Sequence, residues 1–211
     1  MSKARSVYIP LKDNLTVKMF MEEGWGIADS PDELECDLVC FTGGSDVTPL
    51  LYGESIIKGT VVDLVRDKKE VRLWRDIPLK LPKVGICRGA QFLNVMCRGK
   101  MWQNVDNHVI RGMHDIKTME GSLIQVTSTH HQMMRPSDEA FIVATASESK
   151  YKTCEEKSVR YMDDKPHWDD AEVLYYEHEN ALCFQPHPEY CLRGDACWRY
   201  FFDLLDTYQF S

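Results

Sequence analysis

Apolar and polar positions alternate in two regimes along the chain. In the first half, short apolar runs alternate with segments of helical period. Ser6–Pro10 reads as a strand, and Asn14 can cap a helix that starts at Leu15 and stops at Gly24. Ser30-Pro31-Asp32-Glu33 is a second helix start, with Ser at the N-cap, Pro at the first helical position and Glu at the third. Asp37–Phe41 is an apolar run that empties into Thr42-Gly43-Gly44, a buried strand followed by a glycine turn. Leu64, Val71, Trp74 and Ile77 recur at roughly helical spacing and predict a helix within Leu64–Ile77. Lys83–Ile86 is the next short strand, and Ala90–Cys97 is apolar enough for a buried helix. Strand and helix in that alternation predict a parallel sheet.

The second half changes character. Leu123–Thr127, Ala140–Ala146, Glu172–Tyr176 and Ala181–Gln185 read as strands, the last two joined by a turn at Glu177–Asn180. Ser147–Asp170 is charged and polar with little periodicity, which predicts a long surface excursion or lid. Asp195–Tyr208 closes the pattern as an amphipathic helix, with Trp198, Phe201, Phe202 and Leu205 near one face. Together these elements predict a three-layer α/β domain with a mixed sheet. A chain of 211 residues suits one such domain, 1–211.

Composition narrows the function classes. Hydrophobic residues at 44% and charged residues at 27% are globular values, so the chain can bury a core. No apolar run approaches the roughly 20 residues that span a bilayer, and Met1 to Lys12 lacks a signal-peptide core, so a cytoplasmic protein without a membrane partner is expected. A formal charge of −8 argues against nucleic acid as a partner. The eight cysteines are expected to be reduced thiols in such a compartment. Cys36-x3-Cys40 and Cys191-x5-Cys197 lack zinc-like spacing, and no metal site is expected.

One cysteine stands apart. Gly85-Ile86-Cys87-Arg88-Gly89 joins a predicted strand to a predicted helix, the cysteine version of a nucleophile elbow. A nucleophile on a tight turn needs neighbours without Cβ atoms, and the backbone N–H of Arg88 then points where an oxyanion forms. The N-terminal end of the following helix favours the thiolate. Such a nucleophile needs a base with an orienting group. In Gln185-Pro186-His187-Pro188-Glu189, both Gln185 and His187 precede proline and are pushed toward extended backbone. Residues i and i+2 then point the same way, which sets Glu189 beside His187. His130-His131-Gln132 ends the Leu123–Thr127 strand and can line the same cleft. Adjacent histidines on a strand face opposite ways, so a substrate wall is the better reading than joint metal binding. His108 and His114 flank an irregular stretch and take no role.

With these residues in hand, the chain resembles the class I glutamine amidotransferase superfamily. It is most similar to the branch of γ-glutamyl hydrolases (peptidase C26-like) that cleave amides such as γ-glutamyl-γ-aminobutyrate. The resemblance runs from about Asp37 to Tyr190 in four ordered places. These are Phe41–Val47 with Pro49 and Tyr52-Gly53-Glu54, then Gly85–Gln91 with Asn94, then Ser128-x-His130-His131-Gln132, and finally His187-Pro188-Glu189. Arg66-Asp67 with Glu70 is similar to the family's helix ahead of the nucleophile strand. The resemblance implies a flavodoxin-like sandwich with a mostly parallel central sheet and a Cys87–His187–Glu189 triad. It also implies an oxyanion hole of the Gly44 and Arg88 backbone N–H groups, with Gln91, His130, His131 and Gln132 on the substrate side. The implied reaction is hydrolysis of a γ-glutamyl amide through a thioester, without metal or organic cofactor. The alternative is a glutaminase subunit that supplies ammonia to a separate synthetase partner. The chain departs from the branch at Cys183-Phe184-Gln185-Pro186, where Gly-Val-Gln-Trp is more usual, and 147–170 has no family counterpart.

Overall fold

A computed structural model describes residues 4–32, 35–147, 149–155, 157–160 and 169–210 of the chain. Its first half is built from β1 (Ser6–Tyr8), α1 (Asn14–Glu22), β2 (Gly26–Ala28), β3 (Leu38–Phe41), α2 (Leu64–Asp76), β4 (Lys83–Ile86) and α3 (Arg88–Met96). The short strands β5 (Lys100–Trp102) and β6 (Asn104–Val105) follow. Then come β7 (Val109–Thr118), β8 (Leu123–Thr129), β9 (Met133–Arg135), β10 (Phe141–Ala146), β11 (Tyr151–Thr153) and β12 (Ser158–Arg160). β13 (Asp170–Tyr176), β14 (Ala181–Phe184) and α4 (Ala196–Gln209) end the described chain.

Among the described residues, the main sheet runs β2-β1-β3-β4-β14-β13-β10-β7-β8, with β9 and β5 attached to β13. The strands from β2 to β14 are mutually parallel; from β13 onward every pairing is antiparallel. Side-chain alternation divides the molecule into layers. Leu38 and Cys40 of β3, Val84 and Ile86 of β4, and Leu182 and Phe184 of β14 pack with Phe20 of α1 and Phe201 of α4 on one face. Val39 and Phe41, with Ala181 and Cys183, pack with Phe92 and Leu93 of α3 on the other, where Val71 and Trp74 of α2 join them. The result is a flavodoxin-like α/β sandwich whose mixed central sheet carries helices on both faces.

Several expectations shift in detail. The cap of α1 is Asp13, whose carboxylate accepts from the Thr16 N–H, while Asn14 is already helical. No helix grows from Ser30 among the described residues. Cys36 N–H closes one turn onto Asp32 O and β3 begins at Leu38, which leaves no room for more; Glu33 lies outside the described residues. In α2 the apolar stripe turns inward through Val71, Trp74 and Ile77, while Leu64 is exposed and the polar Asp67 and Glu70 are buried as well. The described part of 147–170 is not a bare surface loop. β11 pairs with β6 and β12 in a small sheet, and Ser149, Lys152 and Asp170 are buried; 161–168 lie outside the described residues. All eight cysteines are free thiols. No helix of the described residues is long and apolar enough to cross a membrane.

Candidate active site

Cys87 sits between the end of β4 and the first residue of α3, at φ 51° and ψ −109°. A non-glycine residue holds that conformation only when its surroundings impose it, and the flanking glycines show how. A Cβ on Gly85 would stand 2.3 Å from the Gly89 carbonyl carbon, and one on Gly89 would stand 2.0 Å from the Phe41 carbonyl oxygen. Only hydrogen atoms at both positions let the turn fold back on itself and against β3.

The glycine turn after β3 is held by charge. Arg66 of α2 donates to the carbonyls of Gly43 (2.8 Å) and Thr42 (2.7 Å), and its Nε donates to Glu70 (2.9 Å). Glu70 and Asp67 in turn pair with the buried guanidinium of Arg88, the residue after the cysteine. One carboxylate, Glu70, therefore ties the Gly43-Gly44 turn to the elbow. Burial pulls the Arg88 pKa down to about 10, Arg66 adding to it, while Asp67 opposes the loss of charge. Arg66, Asp67 and Glu70 are thus scaffold for the two backbone segments that would hold an oxyanion.

His187 and Glu189 follow β14. His187 Nδ1 meets Glu189 Oε1 at 2.6 Å, as expected, but not through extended chain: Pro188–Tyr190 is a 3-10 turn that brings the carboxylate back to the ring. The Thr127 hydroxyl of β8 accepts from the His187 N–H at 2.7 Å, and the Tyr190 ring stacks on the imidazole at 4.3 Å. A Cβ on Gly43 would lie 2.7 Å from His187 Cε1, so the glycine turn also gives the ring its space. Burial disfavours the imidazolium, but hydrogen bonds to Cys87 and Glu189 outweigh it and push the His187 pKa up to about 10. Thr127 and Tyr190 were not singled out from sequence, and Gly43 was read only as part of the glycine turn; the tyrosine's place directly after His187-Pro188-Glu189 was its one signal.

Cys87 opens onto a cavity of about 190 Å³ shared with Gly44, Ser45, Asp46, Val61, Gln91 and the 129–132 segment. That is below the roughly 300 Å³ of drug-sized pockets and suits a short polar group. Gln91 Nε2 donates to Gln185 Oε1 at 3.2 Å, so that amide is fixed at the cavity edge. His131 bridges the cavity mouth to Asp46 at 3.1 Å, a contact that raises its pKa against the effect of burial. Gln132 donates to Gln103 O at 3.2 Å. His130 belongs to the wall by position, yet its imidazole is buried elsewhere, stacked on His108 at 4.7 Å and 3.2 Å from Glu172. His130 thus lines the cavity as expected of the wall, while its ring packs with His108 and Glu172.

The Peptidase C26 family matches residues 33–163, more than half of the chain. The chain belongs to the Peptidase C26 family. Curated relatives include the glutamine amidotransferase-like protein YvdE of Lactococcus lactis subsp. lactis (strain IL1403), 34% identical over 97 residues, or 45% of this chain and 39% of that protein. The YvdE homolog of Lactococcus lactis subsp. cremoris is 33% identical over 105 residues, 48% of this chain and 53% of its own length. This C26 chain thus spans about two fifths to half of the relatives it matches. Solved structures agree in fold. A Thermotoga maritima glutamine amidotransferase superposes with TM-score 0.59 at 17% identity, over 99% of this chain and 86% of its own. PurLQS from the same organism gives 0.60 at 16%, over 97% and 99%. These likenesses place the chain within the class I glutamine amidotransferase-like superfamily.

Proposed function

We propose that this chain, as one domain over 1–211, hydrolyses γ-glutamyl amides with Cys87 as nucleophile, His187 as acid and base, and Glu189 as orienter. One observation carries the reading: a cysteine on a strained strand-to-helix turn opens to a polar cavity and is backed by a histidine–carboxylate pair at 2.6 Å. Cys87 Sγ attacks the side-chain amide carbonyl, and its proton, taken by His187, leaves on the amine as the C–N bond breaks. The oxyanion formed meanwhile is met by the N–H groups of Gly44 and Arg88. Water then attacks the thioester; His187 takes its proton and returns it to the sulfur as glutamate departs. Gln91 and Gln132 hold the glutamyl end, and Asp46–His131 closes the mouth. The chemistry uses no cofactor.

A second reading, a glutaminase subunit delivering ammonia to a synthetase, draws support from the shared fold. A Thermoplasma acidophilum protein named for a GMP synthase subunit superposes with TM-score 0.63 at 15% identity, over 96% of this chain and 92% of its own. A screen of glutamine and several γ-glutamyl amides, with wild-type and Cys87→Ala protein, tests both. Cysteine-dependent release of glutamate from an amide larger than glutamine supports the hydrolase. Turnover of glutamine only after a partner is supplied supports the ammonia-supplying role.

A further inference from the structure

Away from the cavity, three histidines converge on one carboxylate. Glu172 Oε1 of β13 lies 3.2 Å from His108 Nδ1, 3.3 Å from His114 Nε2 and 3.2 Å from His130 Nε2. The ligand atoms of His108, His130 and Glu172 all fall within 4.8 Å of one another, the one such group among the described residues. These are not hydrogen-bond contacts. Neither oxygen of Glu172 and none of those three nitrogens has a hydrogen-bond partner, although all are buried. Spacings of hydrogen-bond length without hydrogen-bond direction, repeated three times about one oxygen, leave a polar set that the protein does not satisfy from within. A tetrahedral ion with ligand bonds of about 2.0–2.1 Å holds its ligands about 3.3–3.4 Å apart, close to the distance of each imidazole nitrogen from Glu172 Oε1.

The surroundings fit a ligand set as well. His108 Nε2 donates to Asp170 Oδ2 at 2.8 Å, which leaves Nδ1 as the ring atom that faces Glu172. Asp170 is itself held by the N–H and hydroxyl of Ser149, both at 2.7 Å, and by Lys152. A metal-binding imidazole backed by a fixed carboxylate is the usual outer arrangement. Glu172, His108 and His130 are almost fully buried, and His114, the least covered, marks the side from which an ion could enter.

We propose that His108, His130 and Glu172, with His114 beside them on Glu172, form a binding site for one divalent transition-metal ion of the imidazole-preferring kind, Zn2+ foremost. Two imidazole nitrogens and a carboxylate, with a third imidazole at hand, suit zinc and disfavour calcium or magnesium, which take oxygen ligands. The site joins β7, the end of β8 and β13 from within. His130 directly precedes His131 and Gln132, so a bound ion fixes the cavity wall without taking part in hydrolysis. Spacing along the chain gave no sign of this, because the ligands come from three separate segments around β7, β8 and β13. The proposal does not depend on the hydrolase reading.

The test uses the full chain, stripped with a chelator, dialysed, and reloaded with Zn2+ or Co2+. One Zn2+ per chain by elemental analysis, and the visible absorption of tetrahedral Co2+, are expected. Both should persist in Cys87→Ala, because the elbow thiol is not a ligand. Asp170→Asn should weaken Zn2+ binding about 10–100-fold, and Zn2+ should raise the melting temperature of the wild type. Glu172→Gln should abolish the Co2+ band. Should that variant not fold, His114→Asn at the cluster's edge must weaken Zn2+ binding instead. No Co2+ band and no retained Zn2+ in the wild type would overturn the site, and so would binding that disappears with Cys87→Ala.

Discussion

At the scale of single residues, reactivity is decided by which thiols can ionise. Burial pushes Cys40, Cys97 and Cys183 well up from the ordinary thiol value and Cys36 to about 11. Cys191 is the rival to Cys87, since a hydrogen bond from Cys197 lowers its pKa. Limiting iodoacetamide should label Cys87 ahead of Cys191, read by peptide mapping; the reverse order would sink the nucleophile assignment. Cys87→Ala should cost about 10⁴-fold or more in activity, His187→Ala nearly as much, and Glu189→Gln less, because the carboxylate only orients and stabilises the imidazolium. His187 also sets a pH dependence. Its pKa is raised from 6.5 in the unfolded chain to about 10 in the fold. The contribution to stability is therefore fully present below pH 6.5 and is lost as pH rises through about 10. In NMR the His187 ring should titrate near pH 10, and in Glu189→Gln at lower pH. A wild-type midpoint near 6.5 would contradict the contacts assigned to the ring.

At the scale of elements, the elbow depends on a strand and a helix approaching closer than any Cβ permits. Gly89→Ala forces its methyl into the Phe41 carbonyl and should destabilise the chain by about 3 kcal/mol or more, read as a shift in the urea midpoint. A stability unchanged within about 0.5 kcal/mol would contradict the close packing. Lys83 anchors the other end of β4, its ammonium donating to the carbonyls of Pro78, Leu79, Leu81 and Glu179. Among the elements legible in sequence are those buried on both faces: β3, β4 and β14 are short runs with uniform burial. β7, the longest strand, was not legible. Val109–Thr118 mixes Arg, Gly, His, Asp and Lys, its pairing to β8 shifts register between Val109 and Met113, and Val109 and Met113 are exposed. The same contrast holds for the candidate site. Cys87, His187 and Glu189 are readable because each stands in a local pattern whose geometry the neighbouring Gly or Pro enforces. The Arg66–Glu70–Arg88 tie and the Asp46–His131 bridge are not, because |i−j| reaches 85 for the latter and only the fold supplies the partner.

At the scale of the whole molecule, the question is whether the chain closes its own cavity. A subunit that passes ammonia to a partner has no need of a built wall on the leaving-group side. In this chain the 46–54 segment and the small sheet are the parts that would build one. Asp46 is bridged to His131 across the mouth and accepts from the Val61 N–H at 2.8 Å. Glu54 is buried beneath, bound by Arg135 at 3.0 Å and Gln103 at 3.2 Å, so the 46–54 segment is fixed to β9 and the loop after β5. The small sheet of β6, β11 and β12 then reaches that segment from the far side of the sequence, where Glu155 accepts from the Ser55 hydroxyl at 2.7 Å. Glu155 and Ser55 are exposed, so breaking their contact should leave folding intact. If the small sheet holds the wall for a substrate with a bulky amine, Glu155→Ala should raise KM for that amide several-fold. It should leave glutamine turnover and the melting temperature nearly unchanged, since ammonia needs no wall. Steady-state kinetics on the two substrates reads the difference. Equal loss on both would mean that the clasp serves the elbow generally, and no loss on either would remove the small sheet from substrate selection and shift the balance toward the ammonia-supplying reading.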